Sequence, residues 1–129
     1  MSSVKKYGGN TDDYIDIHNF MDSSKGALPD NRHRALTHNS WFISVVIEKV
    51  FGVSRVNSDG RIYSTRQIAE DHCLEDFNMK FIPTAQDFLG NMQWQEWMEN
   101  GKNGYPPSHL KLKSADNKKA EFIPFKNKD

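Results

Sequence analysis

Two short stretches of the chain carry most of its acid–base and metal-ligating potential: Arg32-His33-Arg34-Ala35-Leu36-Thr37-His38-Asn39 and His72-Cys73-Leu74-Glu75-Asp76. On a helix, His72 and Asp76 at i and i+4 project from one face, and Glu75 at i+3 reaches the same space. A neutral imidazole beside a carboxylate at that spacing is half of a site for zinc, manganese or iron, and a second helix must supply the rest. His38 and His33 are the first candidates for that second half, with His18 a more distant one. A metal held by His33, His38, His72 and Asp76 would activate water, leaving Glu75 as the catalytic general base. Arg32, Arg34 and Asn39 would then bind an anionic substrate, a phosphorylated or nucleotide compound. The same residues also have a structural reading. His72 and Asp76 would satisfy each other as a buried pair, and Arg32 and Arg34 would pair with Asp30 or with an acidic first helix.

These side chains need helices to position them. Thr11, followed by Asp12 and Asp13, is a helix start with carboxylates at the positive end of the dipole, and Tyr14, Ile17, Phe20 and Met21 continue it to about Asp22. Pro29-Asp30 and Gly52 bracket a second helix. Ala35, Leu36, Phe42, Ile43, Val46, Ile47 and Val50 share its apolar face, so the helix is polar at its start and apolar at its end. His33 and His38 lie about 140° apart on such a helix and converge only where the first turn is irregular or His33 precedes the helix. Ser64-Thr65-Arg66-Gln67 has the capping-box form and opens a third helix to about Phe77, with Ile68, Ala69, His72, Glu75 and Asp76 on one side. A fourth helix starts after Pro83 with Thr84 and Asp87 as its caps and runs to Asn100-Gly101. Between the second and third helices, Asn57-Ser58-Asp59-Gly60 is the turn of a short hairpin. It echoes a calcium loop but has Ile68 where the bidentate glutamate would stand.

The expected fold is therefore mainly α, a single compact domain of about four helices with a minor β-hairpin. That domain covers residues 11–101, after a flexible N-terminus at 1–10 and before a basic extended tail or hairpin at 102–129.

Composition narrows the functional classes. The chain of 129 residues carries 17 lysines and arginines against 17 aspartates and glutamates, so it has no overall field that would draw nucleic acid or anionic lipid. From Lys102 onward lysines outnumber acidic residues by a net +4, matched by −4 over residues 1–101, so the tail can lie over the acidic body. The single cysteine, Cys73, excludes an internal disulfide and a multi-cysteine zinc finger. It reads as a small buried residue rather than a nucleophile. No apolar run is long enough to span a membrane, and the first residues lack the apolar core of a signal peptide. The expected setting is a reducing cytoplasm, in a bacterium or a phage-infected host. Trp94, Trp97 and Tyr105 near the basic tail could stack on single-stranded nucleic acid, but core or subunit contact explains them better. Nucleic acid is not an expected partner, and a homo-oligomer is admissible.

The histidines on successive helices resemble the metal-dependent HD phosphohydrolases, although the chain has no His-Asp dipeptide. Asp71-His72 is reversed, and Arg34 and Asn39 follow His33 and His38. A closer likeness lies elsewhere. Leu28-Pro29-Asp30-Asn31-Arg32-His33-Arg34-Ala35-Leu36-Thr37-His38-Asn39, Asn57-Ser58-Asp59-Gly60, His72-Cys73-Leu74-Glu75-Asp76-Phe77 and Phe81-Ile82-Pro83-Thr84-Ala85-Gln86-Asp87 resemble an uncharacterised family of small bacterial and phage proteins, a domain of unknown function. That resemblance implies no activity. Two functions are expected from the residues: a metal-dependent hydrolase, or a noncatalytic phage or bacterial accessory protein that binds a macromolecule or small ligand.

Overall fold

A computed structural model describes residues 2–109. Of the basic extended tail or hairpin expected at 102–129, residues 110–129 lie outside the described residues. The chain divides into two compact units, Met1–Gly90 and Asn91–Asp129. It is mainly helical, with one two-stranded antiparallel hairpin among the described residues.

The first unit begins with a helix where a loose segment was expected. Ser2–Tyr7 forms α1, held from outside: Lys6 Nζ and Tyr7 Oη both donate to Asp71, at 3.2 and 2.7 Å. Such a short helix is marginal alone and owes its order to what it packs on. Asn10 opens a 3-10 turn at Thr11–Asp13, and α2 follows at Ile15–Asp22, so the cap lies one residue before the expected Thr11. Ile17 and Met21 are spaced one turn apart and both are buried.

The long second helix expected between Pro29 and Gly52 is broken. A 3-10 turn at Asn31–His33 leads into α3, Arg34–Thr37, and the backbone leaves helical geometry at His38 with φ −99° and ψ 51°. Asn39 makes the break. Its Nδ2 donates to Ala35 O at 2.8 Å, and its Oδ1 accepts from Phe42 N at 2.9 Å, ending one helix and capping the next. The chain resumes as a π-helical turn at Phe42–Val46 and then α4, Ile47–Phe51, which ends at Gly52 with φ 85°. The π turn inserts residues relative to an α-helical wheel, so the apolar face is narrower than expected. Ile43 and Ile47 are buried, whereas Leu36 and Val50 are half exposed.

Strands β1, Ser54–Val56, and β2, Ile62–Ser64, pair with Arg55 opposite Tyr63. The expected turn joins them, with Asn57 Oδ1 accepting from Asp59 N and Arg61 N. Helix α5, Thr65–Asp76, starts where expected, with Ser64 Oγ accepting from Gln67 N at 3.2 Å. It ends at two left-handed residues, Asn78 (φ 57°) and Met79 (φ 62°). The core gathers Tyr14, Ile17 and Met21, then Ile43 and Ile47, then Tyr63, Ile68, Ala69 and Cys73. The expected capping box of Thr84 and Asp87 opens α6, Ala85–Leu89. That helix stops far short of Asn100. Gly90 follows it, where a Cβ would stand 2.7 Å from Gln86 O.

In the second unit, α7 covers Trp97–Asn100, and Trp97 Nε1 donates to Gln95 Oε1 at 2.8 Å. Trp94 and Tyr105 are more than half exposed.

Candidate metal centre

Helices α2 and α5 each carry a histidine followed four residues later by an aspartate, His18/Asp22 and His72/Asp76. The two pairs do not close on themselves. His72 Nε2 lies 3.1 Å from Asp22 Oδ1 on the other helix, and His72 Nδ1 lies 2.7 Å from His18 Nδ1. Asp76 Oδ2 lies 2.8 Å from Nε2 of His38, at the break after α3. The imidazoles form a continuous row, with ring centroids 5.3 Å apart for His33–His38, 5.2 Å for His38–His72 and 5.0 Å for His72–His18. His33, His38 and His18 are buried, and the Asp22 and Asp76 side chains, 40% and 32% exposed, reach solvent. The cluster thus has an imidazole interior and an acidic rim.

Hydrogen-bond direction dictates which nitrogens are free. Thr37 Oγ1 donates its single proton to Met21 O at 2.7 Å, so its other contacts, His38 Nδ1 at 2.8 Å and Ser24 Oγ at 3.0 Å, must donate to it. With the Ser24 proton spent on Thr37, the 2.8 Å contact between Ser24 Oγ and His33 Nδ1 requires His33 Nδ1–H as donor. His33 and His38 therefore carry their protons on Nδ1, and Nε2 of each neutral ring presents a lone pair. On α5 the acceptor is a carboxylate. His72 Nε2–H donates to Asp22, His72 Nδ1 accepts from His18 Nδ1–H, and His18 Nε2, 3.0 Å from Ser3 Oγ, accepts from that hydroxyl.

Burial disfavours charge on His18, His33 and His38. The His38 imidazolium is pushed down to about 4, by desolvation first and by the neighbouring His72 second, against the pull of Asp76. His18 is lowered by desolvation and His72, with Glu75 opposing. His33 is lowered by desolvation and Lys25. His38 is thus neutral near pH 7, with a buried Nε2 that makes no hydrogen bond although a carboxylate oxygen stands 2.8 Å away. With the His38 proton on Nδ1, Nε2 has none to donate to that oxygen. Two lone pairs facing each other at that distance repel unless a cation lies between them. Asp22, His38 and His72 each offer a ligand atom, all within 4.8 Å of one another. Those donors are two imidazoles and one carboxylate, a set suited to zinc, manganese or iron, and Asp76 stands beside His38 outside that group.

The remaining candidates fall in different places. Arg32 closes a 2.9 Å ion pair with Asp30 on the exposed surface, the structural alternative weighed for it above. Both ends of the Asn39 amide are committed to the backbone at the helix break. Arg34 lies beside Asp76, its Nη2 3.9 Å from Oδ1. Glu75 is exposed on the last turn of α5, near enough to His18 for its charge to favour the imidazolium. His33 joins the row through His38, with its Nδ1 bonded to Ser24 Oγ. Cys73 is buried, its thiol pushed up to about 12 by desolvation, and its Sγ–H donates to His38 O at 3.7 Å, steadying the break. That excludes a ready thiolate.

Sequence reasoning overlooked Asp22 and Ser3. A signal for Asp22 existed: His18-Asn19-Phe20-Met21-Asp22 repeats the spacing of His72-Cys73-Leu74-Glu75-Asp76. Ser3 had none, because nothing local ties a polar N-terminal serine to a histidine on another helix.

A family described as a domain of unknown function, DUF6915, matches residues 1–98, and the chain belongs to it. The match spans every residue of the cluster. No curated protein and no solved structure matches the chain.

Proposed function

We propose that this member of the DUF6915 family binds one divalent transition metal through Asp22, His38, His72 and Asp76 and uses it to hydrolyse a substrate at the acidic rim. The observation that carries this reading is His38 Nε2: neutral, buried, without a hydrogen bond, and 2.8 Å from a carboxylate oxygen. A bound ion would pair both groups at once, supply Lewis acidity and lower the pKa of a coordinated water. Thr37 holds the tautomer of His38 that ligation needs; ligation through His72 Nε2 would move the His72 proton to Nδ1, which would then donate to His18 Nδ1 while His18 Nε2–H turns to Ser3 Oγ, the outer-shell role of a backing group. Asp22 and Asp76 are taken up as ligands, which leaves Glu75, on the same turn of α5, as the carboxylate to accept a proton from water. The test is metal analysis of the full chain purified without a histidine tag. Close to one zinc, manganese or iron per chain is expected, and His72→Ala should remove it while the helical circular dichroism remains. Metal-free protein that refuses added zinc, manganese and iron would remove this reading.

A second reading has its own support. The run Ser3–His18–His72–Asp22 is already closed by hydrogen bonds, as expected of a structural cluster in a noncatalytic protein that binds a macromolecule or small ligand. Failure to take up metal would favour it.

A further inference from the structure

We propose that Arg34, together with the metal held at Asp76, forms a binding site for the phosphate group of a phosphate ester. The inference rests on the metal reading above and names the substrate class that site would take.

Two buried side-chain nitrogens or oxygens lack a hydrogen-bond partner among the described residues, and they are neighbours in the site: His38 Nε2 and Arg34 Nε. Asp76 lies between them, with Oδ2 toward His38 and Oδ1 toward Arg34. The distance to Arg34 Nη2, 3.9 Å, is too long for a hydrogen bond, so the carboxylate attracts the guanidinium without satisfying it. Stacking holds Arg34 in place instead. Its guanidinium lies over the Phe77 ring, 5.5 Å from the centroid, just past the end of α5. The flat face is packed, and Nε on the edge has no acceptor. A buried N–H of a charged group left without an acceptor is costly, and an arginine edge suits two oxygens of one anion.

Arg32 makes the contrast. Two residues earlier, its Nε and Nη2 are both bonded to Asp30 at 2.9 to 3.1 Å, and its side chain is 74% exposed. Of the two, Arg34 combines a stacked face, an Nε without an acceptor and a place beside Asp76.

Charge and valence point to phosphate. Asp76 repels a lone anion, so binding depends on the cation that neutralises it. The arginine edge takes two oxygens and the metal takes a third. A phosphate monoester offers three such oxygens, where a carboxylate offers two.

The test is calorimetric titration of inorganic phosphate into the zinc-loaded full chain. Saturable binding is expected for the wild type and for Arg32→Gln. Arg34→Gln should weaken phosphate affinity by about tenfold or more, the scale of a lost charge-assisted bond, with zinc affinity unchanged. Arg34→Lys, which keeps the charge and is the second variant should Arg34→Gln fold poorly, should also weaken it, because an ammonium cannot form the two-oxygen contact. Zinc-free protein should bind no phosphate. Zinc-loaded wild type that ignores phosphate, or Arg34 variants that bind it as wild type does, would overturn the inference and leave the metal reading standing. Protein that takes up no metal would remove both.

Discussion

The first unit contains two dense polar networks that differ in one respect. Around the hairpin, Asn57, Asp13, Asp16, Arg55 and Tyr63 bond to one another and to backbone. Asn57 Nδ2 donates to Tyr7 O and Tyr14 Oη, its Oδ1 accepts two N–H groups, and Arg55 donates to Asp16, Tyr63 and Asp13 O. Here the environment favours charge: hydrogen bonds from Asn10 and Ser58 hold Asp13 below the usual carboxylate range, and Arg55 does the same for Asp16. Around His38 the environment opposes charge, and two donor or acceptor atoms stay unpaired. Both networks are polar and both contain aspartates, so polarity alone does not separate a structural cluster from a functional one. Satisfaction does, because a folded chain retains an unpaired buried atom at a cost that a ligand can repay.

Substitutions of opposite sign test this contrast most strongly. Asn57→Ala strands buried partners and should cost about 2–3 kcal/mol of stability in denaturant unfolding while leaving zinc affinity unchanged. His38→Leu should abolish metal binding and leave the metal-free protein as stable as before or more so, since an apolar side chain of similar size removes an unpaired nitrogen. Marked destabilisation of the metal-free protein by His38→Leu would place the cluster with the hairpin network.

Acid should separate the networks by pH window. His18, His33 and His38 are all lowered from 6.5, so as pH falls from 6.5 toward about 4 the unfolded chain takes up protons that the folded chain refuses. Stability should be full above 6.5, decline through that window, and decline less steeply in His38→Leu. The stability that the depressed Asp13 and Asp16 contribute is full above their ordinary value of 3.8 and is lost only below it, so the hairpin should add its loss at lower pH. Unfolding midpoints measured from about pH 7.5 to about pH 2 would resolve the two.

His18→Phe gives the smallest effect. It keeps a ring of similar volume but removes the partner of His72 Nδ1, and should weaken zinc binding about 10- to 100-fold in a competition titration without changing the fold. Unchanged affinity would make His18 a packing residue only.

Part of this centre was legible from local spacing. The Ser64 cap predicts where α5 starts, and its period puts His72 beside Asp76 and next to the buried Ile68 and Ala69. Asn57–Gly60 predicts the hairpin turn, and Thr84 with Asp87 predicts the start of α6. The middle of the expected second helix was not legible in the same way. An asparagine inside an apolar pattern warns of competition for backbone groups, but a helical wheel assumes the regularity that Asn39 ends.

The sequence by itself determined the helical class, the caps, the turn and the i, i+4 pairs, because these depend on bonds between residues near one another in the chain. Tertiary structure decided that the pairs exchange partners, Asp22 with His72 and Asp76 with His38. It also decided that α1 docks and brings Ser3 to His18, that His38 sits at a break, and that Arg34 rather than Arg32 faces the centre. Those outcomes depend on which face of each helix is desolvated against which neighbour. Burial is settled by the packing of the whole unit, and it disfavours charge on His18, His33 and His38 and leaves His38 Nε2 unpaired.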